Sequence, residues 1–595
     1  MPALPSQTSY GIVIDAGSSG SRVQIYAWRA AFDAAAATLP AVGKGGNDWY
    51  KKIAPGISSY ASHSNDLEHD HLEKLLKHAK SIVPREQHAT TPIFLFATAG
   101  MRLLPEPVQK QLLDKTCFYI KKTTDFLVSD CTESIRVIDG ETEGLYGWLA
   151  LNYMLGAFDN PEKHAHGKGH HTYGFLDMGG ASAQVAFAPN ATEASKHLDD
   201  LYGVRLRTQA GVPLEYNVFV STWLGYGANE ARRRYIEMLV DEQTLSEVVL
   251  DPCLPNGLED TSVFEANDRK LVGAGNLTQC LAKTYPLLSK DIPCDDDPCL
   301  FGGVHAPAID FDVNHFIGVS EYWHTTRSGL FADLLPAAAV SQDKAVPGAY
   351  DYATFSKNIG YVCSQDWDKL KKTAEELDLK SKNLKELCFK GAWVMNMLHS
   401  GFGVPRVDDS MSSASSSNDH FQSMDTINGV ELSWTLGKMI LYASSQIPLA
   451  TEYALRVAQN PANMTTAYAV GFGPNDGAFI SENAEVGEAV ADPVIVNDVD
   501  PSHGWWSGYT GFNVSSFSTQ GTLSQRRLPG LVLFASIFAM MAYVLVGKVR
   551  RRKFTFSLSP KRYRRRVLEM GVGASSASGM ESVLHLVPHT PSTTV

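Results

Sequence analysis

Two aspartates in this chain close apolar runs, and each is followed by residues that have almost no side chain. Asp15 ends the run in GIVIDAGSSGSR, and Asp177 ends the run in YGFLDMGGASAQ. Glycine and serine let backbone N–H groups point at an anion, and serine adds hydroxyl donors. A carboxylate at the strand end can hold the divalent cation that phosphate groups bring with them. Gly17, Ser18, Ser19 and Gly20 form one candidate phosphate cradle. Gly179, Gly180, Ala181 and Ser182 form the other, and Arg22 offers a cation beside the first. Either loop alone is equally well read as a tight turn, either aspartate as a loop cap, and Arg22 as the partner of a surface acid. The repetition of the pattern favours the phosphate reading.

Hydrolysing a terminal phosphate requires groups that neutralise its oxygens, a metal, and a base that activates water in line with the leaving group. VIDGETEGLYGWLALNYMLG, at 137–156, supplies two candidate bases, Glu141 and Glu143. Gly144 and Gly147 leave room for close approach next to Glu143. Both acids also suit a solvated first helical turn, where the helix dipole favours them. Residue chemistry leaves the choice open. No G-x-x-x-x-G-K-[ST] loop and no G-x-S-x-G elbow is present, which disfavours a P-loop enzyme and an α/β-hydrolase. HAHGKGHH at 164–171 has imidazoles enough for a metal, but no adjoining acid or cysteine ligand, and reads as a solvated loop.

The elements that must position these groups alternate. Strands are expected at 11–15, 22–28, 92–97, 173–177 and 183–188, and helices at 68–80 and 143–156, an α/β pattern. GIVIDAGSSGSRVQIYAW and YGFLDMGGASAQVAFAP share one design: strand, aspartate, small-residue loop, strand. Two such hairpins imply two similar lobes facing each other across a cleft.

Five blocks carry a resemblance to a known family: DAGSSGSR, IFLFATAGMRLL, VIDGETEGLYGW, DMGGASAQ and GVELSWTLGKMILYASSQIP. In order and rough spacing they resemble the five apyrase conserved regions of the nucleoside triphosphate diphosphohydrolases, over roughly residues 9–475. The resemblance implies an actin-like (RNase H-like) two-lobed fold with the active site between the lobes. It implies lobe boundaries of 9–139 plus 425–475 for the first lobe and 140–424 for the second. It also decides between the two acids, because the family's catalytic glutamate directly precedes the glycine of EGxYGW. On that basis Glu143 takes the water proton, while Ser182 and Gln184 position the water. Asp15 and Asp177 order a hydrated Ca²⁺ or Mg²⁺, and Thr98 and Trp434 line the metal side. By themselves Gln184 and Trp434 would read as a polar strand residue and a core aromatic. GVSEYWHT, at 318–325, resembles the family segment that supplies a base-stacking aromatic, either Tyr322 or Trp323; core packing explains either ring as well. The implied substrates are nucleoside di- and triphosphates. Two rivals share the paired loops: a sugar or acetate kinase of the same superfold, and a catalytically inert nucleotide-binding module that regulates a membrane partner.

Bulk properties fit this reading. Of 595 residues, 44% are hydrophobic, enough for a large core. The net charge of −12 disfavours a nucleic-acid partner. Leu528 to Gly547 contains no charged residue, the length of a membrane-spanning helix. Lys548, Arg550, Arg551, Arg552, Lys553, Lys561, Arg562, Arg564, Arg565 and Arg566 follow it, against only Arg526 and Arg527 before it. The asymmetry predicts a cytosolic tail at 548–595, a stalk at 485–527 and a lumenal catalytic part. With the family resemblance, it implies a single-pass Golgi membrane protein. The basic run can also touch anionic lipid. All eight cysteines precede the span and suit four disulfides in an oxidising compartment. Cys117–Cys131 and Cys363–Cys388 are expected local pairs, and Cys253, Cys280, Cys294 and Cys299 allow three pairings. Asn190, Asn276, Asn463 and Asn513 begin glycosylation sequons on the same side. MPALPSQTSY has neither a basic nor an apolar signal region, so no cleavable signal peptide is expected and the C-terminal span would direct translocation.

Overall fold

The computed structural model describes residues 8–29, 32–46, 48–244, 246–262, 269–327, 350–376, 381–406, 420–459 and 468–482. The expected stalk, membrane span and basic tail lie outside these, as do Asn463 and Asn513.

The strands in chain order are β1 (Thr8–Gly17), β2 (Gly20–Arg29), β3 (Tyr50–Ile53), β4 (Ile93–Ala97), β5 (Ile135–Val137), β6 (Gly174–Met178), β7 (Ser182–Phe187), β8 (Tyr202–Arg207) and β9 (Pro213–Leu224). After these come β10 (Val248–Asp251), β11 (Glu259–Asp260), β12 (Lys270–Gly273), β13 (Phe316–Ser320), β14 (Phe421–Ser423), β15 (Thr426–Ile427), β16 (Val430–Glu431), β17 (Gly471–Pro474) and β18 (Ile480–Ser481).

The first large sheet has the order β3-β2-β1-β4-β5. Its β1–β2 and β2–β3 pairs are antiparallel, and its β1–β4 and β4–β5 pairs are parallel. The second sheet repeats this plan as β9-β7-β6-β13-β14. There β6–β7 and β7–β9 are antiparallel, while β13 is parallel to both β6 and β14. Strands β8, β17 and β18 extend its β9 edge. One order and one set of directions, twice, is the duplication that the paired hairpins implied, in the actin-like plan that the resemblance implied. The last part of 425–475 hydrogen-bonds to the second sheet, through β17 on β8.

Two helices, Gly140–Leu155 and Trp434–Ser445, pack against one another, and one apolar cluster joins them to both sheets. The first is apolar on every side, and apart from Glu141 it is buried from Gly140 to Asn152. A helix without a polar face has to be enclosed. Asp139 caps its start, accepting from Thr142 N at 2.6 Å, and Gly156 ends it in a left-handed conformation. Asn152 fixes its far end to the strand that carries Asp177: Asn152 Nδ2 donates to Tyr173 O at 3.0 Å, and Tyr173 N donates back to Asn152 Oδ1 at 2.7 Å. The two helices cross closely at Gly437, where a Cβ would stand 2.0 Å from Tyr146 O.

All eight cysteines are paired. The structure chooses Cys253–Cys280 and Cys294–Cys299 among the open possibilities and contains both expected local pairs. HAHGKGHH is exposed at Ala165 and at Gly167, Lys168 and Gly169, as expected of a solvated loop, but its histidines are anchored. His170 is buried, with Nε2 donating to Ala188 O at 2.8 Å, and His166 Nδ1 donates to Val313 O at 3.1 Å. Backbone carbonyls of the second lobe hold these two histidines, a partnership that local polarity does not reveal.

Candidate active site

The two hairpins match residue for residue. Asp15 pairs across β1–β2 with Arg22, and Asp177 pairs across β6–β7 with Gln184. Both aspartates are buried at the strand end because the strands themselves have no exposed face there. The loops that follow meet: a Cβ on Gly180 would stand 2.9 Å from Ser18 Oγ. Between the hairpins is a cavity of about 370 Å³, with Asp15, Asp177, Glu143, Thr98, Ser182 and Trp434 in its wall. Gly17, Ser18, Ser19 and Arg22 line it from the first lobe, and Gly179, Gly180 and Ala181 from the second. Gly20 turns away toward β3, where its Cβ would meet Ile53 O at 2.7 Å.

Glu143 enters the cavity from the first turn of the Gly140–Leu155 helix, and Glu141 of the same turn does not line it. The geometry therefore separates two acids that residue chemistry could not. Gln184 lies one layer behind the wall. Its Nε2 donates to Ser182 Oγ at 2.7 Å and to Glu143 Oε2 at 3.3 Å, tying the two together. Arg102, on the Ala99–Arg102 turn after β4, donates from Nη2 to Glu143 Oε2 and from Nε to Ile138 O at 2.8 Å. Thr98 opens that turn. Trp434 lies nearly parallel to Phe96 and Tyr146, with ring centroids 6.4 and 6.3 Å away.

Three carboxyl groups share this buried space. Burial lifts Glu143 to about 7, the charges of Asp177 and Asp15 add to the rise, and Arg102 opposes it. Burial likewise lifts Asp177 to about 6, with Asp15 adding, while a hydrogen bond from Ser320 opposes the shift. Burial raises Asp15 as well, although the Arg22 guanidinium 3.1 Å from its Oδ2 pulls the other way. Ser320 itself holds a positive φ of 55°, strain that places it beside Asp177. Asp177 Oδ1 is buried with no hydrogen-bond partner. Two desolvated carboxylates, one with an unsatisfied oxygen, fit a hard divalent cation, whose charge would reverse the cost of keeping them ionised.

The sequence reading placed no role on Arg102, Asn229, Lys52, His324 or Lys390. All but Arg102 line the cavity, and a Cβ on Gly180 would stand 2.8 Å from Asn229 Nδ2. Two of the five had a local signal: Arg102 sits in the same ATAGMRLL block as Thr98, and His324 sits in the GVSEYWHT segment. Tyr322 is wholly enclosed and packs edge-on against Phe421, so neither face of its ring is open to a base. Trp323 is half-buried and does not line the cavity; its neighbours Glu321 and His324 do.

A family description, GDA1/CD39 (nucleoside phosphatase), matches residues 1–457. The chain belongs to this nucleoside phosphatase family. The phosphatase is 42% identical over 467 residues to the Golgi apyrase of Saccharomyces cerevisiae, covering 74% of this chain and 71% of that one. It is 40% identical over 466 residues to the Golgi apyrase of Schizosaccharomyces pombe, covering 75% and 77%. It is 32% identical over 458 residues to nucleoside-diphosphatase mig-23 of Caenorhabditis elegans, covering 73% and 77%.

Proposed function

We propose that the chain is a membrane-anchored apyrase that hydrolyses terminal phosphates of nucleoside tri- and diphosphates to monophosphates in the Golgi lumen. The observation that carries this reading is the pair of matched hairpin loops facing each other over one cavity, with Glu143 in its wall.

Backbone N–H groups at the tips of the two loops, Ser18 and Ser19 in one and Gly180 and Ala181 in the other, cradle the phosphate chain with Arg22, and Gly17 and Gly179 let the chain turn there. Ser182 holds the attacking water, and Gln184 fixes Ser182 and Glu143 in one geometry. Glu143 accepts the water proton while the water oxygen bonds to the terminal phosphorus. The bond from that phosphorus to the bridging oxygen breaks, releasing inorganic phosphate and the shortened nucleotide. Arg102 keeps the Glu143 carboxyl ionised and oriented. Asp15 and Asp177, with Thr98 through a water, are the residues that would hold Ca²⁺ or Mg²⁺, which when bound neutralises phosphate oxygens.

The charge-free stretch at 528–547, outside the described residues, is the proposed anchor, with the basic tail on the cytosolic side. In the lumen the enzyme would convert nucleoside diphosphates left by glycosyl transfer into monophosphates. The test is phosphate release by the full chain from ATP, ADP, GDP and UDP with Ca²⁺ or Mg²⁺, beside Glu143→Gln. Release that stops with EDTA and falls about 10²- to 10⁴-fold in the variant is expected. Nucleotide binding without release, or an unimpaired variant, would overturn the reading.

A further inference from the structure

We propose that His197, Asp200 and His305 form a Zn²⁺ site that ties the Ala191–Asp200 segment to the stretch that follows the Cys294–Cys299 disulfide. His197 Nδ1 and His305 Nε2 are 3.2 Å apart. Asp200 Oδ2 lies 3.5 Å from the first and 3.4 Å from the second. Three ligand atoms therefore form a nearly equilateral triangle. Ligands at zinc–nitrogen and zinc–oxygen distances of about 2.0–2.1 Å in a tetrahedron stand roughly 3.4 Å apart, the edge seen here.

The outer partners select the same atoms. His305 Nδ1 donates to Asp296 O at 2.9 Å, which leaves Nε2 with its lone pair. His197 Nε2 faces the Glu193 carboxylate at 3.7 Å, on the side of the ring away from the triangle. A zinc-bound imidazole is held in this way by a carbonyl or carboxylate on its other nitrogen. At 3.2 Å the two ring nitrogens are close enough for an N–H···N bond between the imidazoles, and a cation held by both nitrogens and the carboxylate would replace that bond. The short 3₁₀ turn Leu198–Asp200 puts His197 and Asp200 on one side through its i, i+3 spacing. Both imidazoles are 13% exposed and the carboxylate is 45% exposed, so the fourth position opens to solvent.

None of the three residues lines the cavity between the hairpins. The segment that carries His197 follows β7, which has its catalytic end at Ser182 and leaves the sheet at Phe187.

The experiment is a Zn²⁺ titration of the EDTA-stripped full chain against a chromophoric chelator, with disulfides intact. It is made on Asp177→Asn, which removes one of the two cleft aspartates that would hold a cation. One Zn²⁺ per chain is expected. Its affinity should fall at least ~100-fold in His197→Ala and His305→Ala, each added to Asp177→Asn, and ~10-fold in the milder Asp200→Asn, whose exposed side chain leaves folding intact. Co²⁺ in place of Zn²⁺ should give visible absorption that disappears with His305→Ala. A stoichiometry or affinity unchanged by Asp200→Asn and by either histidine change would overturn the proposal. No retained Zn²⁺ would also overturn it, leaving a proton shared between the two imidazoles.

Discussion

Arg102 Nη2 donates to Glu143 Oε2, and it does so from the turn after β4 in the first sheet to a helix packed on the second. This guanidinium holds the Glu143 carboxyl down against burial and two neighbouring acids. The variant Arg102→Ala should therefore need a higher pH to ionise its base. The acid limb of kcat against pH should move upward, with kcat near neutrality falling ~10- to 100-fold. Arg102→Lys, which keeps the charge and loses the fork, should show a smaller displacement. A pH–rate profile superimposable on that of the parent would remove Arg102 from this role.

Asp177 should act as a site of stored instability. Its carboxyl is lifted from the usual 3.8 to about 6 by burial, so the folded state favours the neutral form. That stability is fully present below pH ~4 and is lost as pH rises through ~6. The rise corresponds to at most about 3 kcal/mol against the ionised protein. In EDTA at pH 8, Asp177→Asn should melt higher than the parent, and the gap should close as pH falls to ~4. Activity should be lost at the same time. An equal or lower melting temperature at pH 8 would refute this trade.

Gly180 should set how closely a nucleotide's phosphates are held. Its missing Cβ would stand 2.8 Å from Asn229 Nδ2 and 2.9 Å from Ser18 Oγ, both side-chain ends that can swing away. Gly180→Ala should leave the melting temperature almost unchanged and lower kcat/KM ~10-fold by moving Ser18 out of the cradle. Thermal melts and steady-state kinetics on one preparation separate the two effects. A large drop in stability would show that the backbone yields instead.

Gly437 should behave in the opposite way. A Cβ there meets the Tyr146 backbone at 2.0 Å, and backbone between two buried helices cannot step aside. Gly437→Ala should cost about 1–3 kcal/mol by overpacking, measured by denaturant unfolding. Hydrolysis per folded molecule should fall as well, because Glu143 and Trp434 ride on the two helices being forced apart.

What could be read from the sequence was local. Asp15 and Asp177 announce themselves through the small residues that follow, and β1, β2, β6 and β7 agree with the expected strands within a few residues. Glu143 and Glu141 share one helical turn, so their difference is purely tertiary: one faces Gln184 and the cavity, and the other does not. Asn229, Lys52 and Lys390 reach the cavity from separate elements, with no motif to mark them. Tyr322 carries the right ring for stacking, but only its packing against Phe421 shows that the ring is enclosed. The His197 triangle was invisible for the same reason, since His305 joins it from a distant loop.

The matched hairpins differ at one decisive position. Opposite its aspartate the first carries a cation, Arg22, and the second a neutral amide, Gln184. A backbone that is symmetric between the lobes is thereby made polar from one lobe to the other. On the proposed function, a linear polyanion entering it would meet a head and a tail, and only one of its ends would come to rest beside Ser182 and Glu143. Exchanging the two residues would reverse that polarity.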